Sequence, residues 1–269
     1  MDNHSLHHHV SPPIILIFPF IIALIVYMVC VYVSNRRFKT WPLYRTGLWM
    51  IGIVCASISV YGPIAKMAHV DFTIHMVGHL LLGMLAPLLM ALGAPVSLLL
   101  RTLPVQTARK LTSFLKSWPA RLYTDPLVAS FLNIGGLWIL YTTSLYHLMH
   151  QSVVLHVLIH LHVFIAGYLF TISMIYIDPM PHQRSYIYRA IVLVFALAAH
   201  GILSKYIYAS PPLGVSQIEA ETGAMLMYYG GDIVDAILIF ILCYQWFKAT
   251  RPRGVTMNGK SVLALGDSK

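Results

Sequence analysis

Two pairs of histidines stand one helical turn apart in apolar sequence: His75 and His79 in His-Met-Val-Gly-His, and His156 and His160 in His-Val-Leu-Ile-His. Residues four apart on a helix project from one face, so each pair presents two imidazoles together. Imidazole suits copper, zinc, iron and nickel, and thioethers such as Met76 and Met149 shift the preference toward Cu(I). A titratable side chain inside a membrane span is costly and by default faces a partner or a ligand. Facing each other, the two pairs would make a four-nitrogen cage for a metal ion. A lone histidine in such a helix more often packs or hydrogen-bonds, so His69, Met76, His147, His150 and His200 rank behind the pairs as additional ligands. Asp232 is expected first to orient an imidazole by hydrogen bonding, with ligation or proton carriage as its other roles; Asp235 follows on about the same face. His162 points roughly opposite His160, at about 100° per residue. Cys30, Cys55 and Cys243 stand singly, without a C-x-x-C pair, and read as small apolar residues. No nucleophile is accompanied by a base and an orienting group, so the chain does not read as an enzyme.

The elements that must carry these residues are membrane helices. The chain has 269 residues, 58% hydrophobic and 10% charged, with a mean hydropathy of +0.73, far too apolar for a water-soluble domain. Seven apolar segments of roughly 20 residues or more can be marked, each able to span a hydrocarbon core about 30 Å thick. The expected fold is all-α: one polytopic seven-helix bundle over residues 13–247, after a His-rich leader at 1–12 (His4, His7, His8, His9) and before a basic tail at 248–269. The third helix, about 71–100, contains Pro87, Gly93 and Pro95 and should break in its cytoplasmic half. Beyond it, Val105, Ala108, Leu111, Phe114 and Leu115 recur at helical spacing, as in an amphipathic helix lying on the membrane surface.

The net charge of +9 is a topology signal rather than a nucleic-acid footprint. Of 18 Lys and Arg, all but Lys66 and Lys205 fall in alternate connections or the C-terminal tail, which places the N-terminus outside and the C-terminus in the cytoplasm. With about 1.5 Å per residue, His75, His79, His156, His160, His200 and Asp232 then fall in one layer roughly 6 to 14 Å below the outer surface.

The segment from His75 to Pro104, with its two histidines followed by Leu-Ala-Pro, Leu-Gly-Ala-Pro and Leu-Leu-Leu-Arg-Thr-Leu-Pro, resembles the signature helix of the CtaG family of bacterial cytochrome c oxidase assembly factors. The resemblance extends through Leu155-His156, His160, Asp178-Pro179 and the run from Gly223 to Asp232. It implies a multi-pass protein of the bacterial plasma membrane that delivers copper, as Cu(I), to the copper centre of oxidase subunit I. On that view His75, His79, His156 and His160 hold the ion, and His69, His147, His150 and the leader admit it from an extracytoplasmic copper donor. Membrane lipids and a second copy of the chain are further expected partners. Two alternatives stay open from the residues: a copper or other metal transporter using Asp232, Asp235 and the broken third helix, and a haem-binding electron carrier with axial histidines.

Overall fold

The computed structural model describes residues 14–252; the leader histidines and the tail from residue 253 lie outside the described residues. Among the described residues the chain is helical throughout its regular structure, with no strands. Six helices are long and apolar enough to cross a membrane: α1 (Ile14–Arg37), α2 (Leu43–Met67), α3 (Phe72–Leu92), α5 (Val153–Met174), α6 (Tyr186–Ala209) and α7 (Gln217–Thr250). Between α3 and α5 lies α4 (Pro126–Thr142), an apolar helix shorter than the rest. The chain is thus a multi-pass membrane protein. Many of its large apolar side chains point outward, among them Ile22, Ile25 and Val29 on α1 and Val194 and Phe195 on α6, as they do where lipid is the solvent.

Short polar side chains start these helices. Asp71 accepts from the Ile74 amide at α3, Asp125 from Leu127 at α4, Ser152 from Leu155 at α5, Ser185 from Tyr188 at α6 and Ser216 from Glu219 at α7. Each satisfies an amide that the helix leaves without an internal partner. Helix α2 is interrupted at Tyr61-Gly62-Pro63: its regular part ends at Val60, and it restarts at Pro63.

Helix α3 is the central element, and it is not uniform. A π turn over Leu81–Leu85 precedes Pro87. The helix stops at Gly93, and Ala94 takes a left-handed conformation (φ 51°) before a new helix, Pro95–Thr102. The expected break therefore lies at Gly93-Ala94, and the span ends at Leu92 rather than near residue 100. The new helix is capped from a distance: Asp178, beyond the end of α5, accepts from the amides of Val96 (3.1 Å) and Ser97 (2.7 Å). The amphipathic helix follows as Val105–Leu115, with none of its residues buried.

Helices α3 and α5 are direct neighbours. A Cβ on Gly167 would run into the backbone carbonyl of Gly83, and one on Gly83 would press Val163. Lipid tails are as apolar as leucine, so membrane helices gain little by hiding apolar surface from each other and rely on such small-residue contacts. This contact brings the two histidine pairs onto adjacent helices.

Candidate metal centre

The imidazoles collect where α2 passes to α3 and where α4 passes to α5; this is the histidine end. His69 comes from the turn before α3, His75 and His79 from α3, and His150 from just after the short helix Leu145–Met149. His156 and His160 come from the first two turns of α5, and His200 from α6. His75, His79, His156 and His200 are each more than nine-tenths buried.

The rings do not form one square cage. His156 and His160 stack face to face with centroids 4.0 Å apart, and His69 stacks on His156 at 4.9 Å. His150 meets His69 at 5.5 Å and His75 at 6.3 Å. His79 turns away from this group toward His200, 6.4 Å away. Two cavities express the same division. One is lined by His75, His79, His160 and Tyr141; the other by His79, Met84, Asn133, Thr171, His200 and Asp235. His79 borders both.

Hydrogen bonds fix which nitrogen of several rings is free to bind. His160 Nδ1 lies 2.9 Å from the His156 carbonyl, and His150 Nδ1 lies 2.9 Å from the Tyr146 carbonyl. A carbonyl only accepts, so Nδ1 carries the proton in both and Nε2 carries the lone pair. Burial pulls the His150 imidazole below its ordinary value, against the opposing pull of the Tyr146 and Ala68 carbonyls. His75 Nε2 lies 3.1 Å from the Tyr141 hydroxyl, the type of contact that orients a ligating ring. Among the described residues, the imidazoles of His79 (Nε2), His156 (Nδ1) and His200 (Nε2) each keep a buried nitrogen without a hydrogen-bond partner. Buried polar atoms are nearly always satisfied, and exceptions often mark a role in function.

An ion bridging two imidazoles at about 2 Å per bond holds the ring centroids roughly 6 Å apart. His75 with His150, and His79 with His200, stand at that spacing; the stacked pair His156 and His160 stands too close. Among the described residues, no three His, Cys, Asp or Glu side chains form a group ready to hold a metal ion. The donors are arranged in twos. That suits Cu(I), which accepts two nitrogen ligands, better than zinc, whose structural sites are closed by four.

Several expected residues lie elsewhere. His147 accepts from the Gln151 side chain at 2.8 Å, on the surface. Met76 and Met149 pack with Phe72, Tyr141 and Met227 in an apolar cluster. Asp232 is exposed on α7 but within electrostatic reach of His200 and Asp235, and Asp235, only 5% exposed, takes the inward position. His162, on the opposite face as expected, lies with Nε2 3.1 Å from the carbonyl of Leu132 in a second π turn, Phe131–Gly135.

A family model described as cytochrome c oxidase caa3 assembly factor matches residues 25–249. Among curated proteins, the chain is 28% identical over 242 residues to an uncharacterized protein of Mycobacterium leprae, covering 80% of this chain and 36% of that one. It is 33% identical over 176 residues to uncharacterized proteins of Mycobacterium bovis and Mycobacterium tuberculosis, covering 61% of this chain and 26% of theirs. The chain thus spans about a third or less of the length of these relatives. No solved structure matches it.

Proposed function

The chain belongs to the family of cytochrome c oxidase caa3 assembly factors, and from that premise we propose that it holds copper on the imidazoles of its histidine end and passes it to the oxidase, at the copper centre of subunit I. The observation that carries this reading is the set of buried ring nitrogens left without a hydrogen-bond partner, His79 Nε2, His156 Nδ1 and His200 Nε2, gathered at one end of an intramembrane bundle. Imidazoles arranged in twos favour Cu(I), and neutral ligands release it by exchange without a change of oxidation state.

The positive-inside charge pattern supports a reading with the histidine end outside the plasma membrane and α4 as a seventh span at the short end of the usual range. A copper centre inside a membrane subunit is hard for a water-soluble carrier to reach. A donor that keeps its ion at the same depth can dock laterally and exchange ligands. His75 and His150 make the holding site, and His69 and His156, stacked at its rim, take the ion from an extracytoplasmic donor.

The test is oxidase assembly in cells whose own copy of the protein is replaced by His75→Ala/His150→Ala. Under limiting copper, the expected result is oxidase lacking the subunit I copper, with partial recovery when copper is supplied in excess. Fully active oxidase at limiting copper would reject the reading. Uptake of labelled copper by sealed vesicles provides the contrast with a transporter: a donor leaves internal copper unchanged.

A further inference from the structure

The geometry points to a second copper site, deeper in the bundle, on His79 and His200 with Met84 and Asp235 beside them. It rests on the reading of copper as cargo and divides the histidine layer into two stations in series. Four observations carry it.

The first is the pair of nitrogens. His79 and His200 are 6% and 4% exposed, line one cavity, and each has an Nε2 with no hydrogen-bond partner. Their centroids are 6.4 Å apart, close to the roughly 6 Å that a bridging ion imposes.

The second is room made for these rings. A Cβ on Gly231 of α7 would lie 2.7 Å from His200 Cε1, and one on Gly83 of α3 would lie 3.4 Å from His79 Cε1. Each imidazole sits against a glycine that leaves it space.

The third is charge. Asp235 lines the same cavity at 5% exposure, while among the described residues the ion pair found is Arg184 with Asp125, far along the chain from it. A carboxyl in a low-dielectric interior either keeps its proton or takes a cation as partner, and a monovalent metal ion in this cavity is such a partner. The reciprocal holds too: Cu(I) on two neutral imidazoles carries a positive charge that the membrane interior disfavours, and Asp235 offsets it.

The fourth is softness and connection. Met84 lines the cavity, and its Cε approaches the Gly231 position that also faces His200, so a thioether is available as a third ligand of the type that selects Cu(I). His79 borders both cavities. Rotation of this one side chain moves an ion from the holding site to the deeper one, with one nitrogen bond forming as another breaks.

The experiment is anaerobic loading of the purified full chain with Cu(I), followed by elemental analysis and copper X-ray absorption. The wild type is expected to hold two copper ions, with sulfur scattering from one of them. His200→Ala and Gly231→Ala are each expected to hold one, without sulfur. Met84→Leu should keep two ions and lose the sulfur signal. Asp235→Asn should weaken the second ion at least tenfold while leaving the first unchanged. His75→Ala/His150→Ala should keep the deeper ion alone.

One ion in the wild type, unaffected by His200→Ala, overturns the deeper site and leaves the holding site standing. No copper in any form overturns the cargo reading itself. His200→Met, which restores a soft ligand, guards against a folding defect. If His200→Ala loses an ion and the folded His200→Met protein does not regain it, the loss is structural and the proposal fails.

Discussion

The two ends of this bundle put their buried polar groups to different uses. At the basic end, where α1 passes to α2, α3 to α4 and α5 to α6, polar groups tie separate connections together. Asp178 accepts from two amides of the helix Pro95–Thr102. Asp125 takes the Arg184 guanidinium at 2.6 Å, the Tyr188 hydroxyl at 3.0 Å and the Leu127 amide. Arg101 donates to the Lys39 carbonyl. The guanidinium of Arg189, 1% exposed, donates to the Met174 carbonyl and lies over the rings of Tyr176 and Tyr186. The basic end also leaves buried atoms unmet, among them Thr46 Oγ1, Trp49 Nε1 and Arg189 Nε, but at the histidine end the unmet atoms of His79, His156 and His200 are imidazole nitrogens, which can bind a metal ion. The first pattern is architecture. The second leaves desolvation uncompensated in the empty protein, and such a cost persists where a ligand compensates it.

The largest expected effect falls on the contact that both ends depend on. Gly167→Ala places a Cβ against the Gly83 backbone carbonyl, which no side-chain movement relieves, so α3 and α5 must separate. Loss of most folded protein on size-exclusion chromatography is expected, with copper binding lost in what remains. A monodisperse variant with normal copper content would show that the helices are not held at this point.

Next comes the basic end alone. Asp178→Ala removes two hydrogen bonds to a charged acceptor, each worth about 1.5–3 kcal/mol, and leaves two amides of the following helix unmet. A marked fall in thermal stability in detergent is expected, with copper stoichiometry unchanged. A change in stoichiometry without a fall in stability would invert the assignment of the two ends.

A smaller loss is expected at His162. Its Nε2–H donates to the Leu132 carbonyl, which belongs to the π turn in α4. His162→Ala removes that hydrogen bond, worth about 1 kcal/mol, and should lower the melting temperature slightly with copper content intact. Copper loss would place His162 among the ligands, against its position on the far face of α5.

These variants also measure how far the sequence could be read. The spans, the break after Pro87 and the pairing of imidazoles on α3 and α5 follow from apolar length, proline and the i, i+4 rule, all of which are local. What local rules do not reach is where a ring points once helices pack. His75 and His79 share a face of α3, yet His75 meets His150 and His79 meets His200, because different neighbours stand beside successive turns. Met84 shows the same limit: in a regular α-helix, a residue five after His79 is turned away from it. The π turn over Leu81–Leu85 changes that phase, and both side chains line one cavity. Of the acids on α7, Asp232 faces outward and Asp235 inward, a choice set by how α7 is rotated against α3 and α6. The cap that Asp178 supplies to Val96 and the pairing of Asp125 with Arg184 join residues 82 and 59 positions apart, beyond any spacing rule.

The smallest expected effect separates the two ends most sharply. A histidine whose nitrogen has no partner contributes little hydrogen-bond energy to the empty protein, whereas its desolvation is already a cost; an apolar residue of similar bulk removes that cost. His200→Leu keeps apolar bulk in the space beside Gly231 and Met84. In metal-free protein its melting temperature should equal or exceed that of the wild type, in contrast to the fall at Asp178. With Cu(I) added, the order reverses, because a ligand that binds the folded state alone raises its stability and the variant has one site fewer to fill. A His200→Leu protein that melts well below the wild type without copper would mean that this imidazole is a structural group like those at the basic end, and the difference between the two ends would disappear.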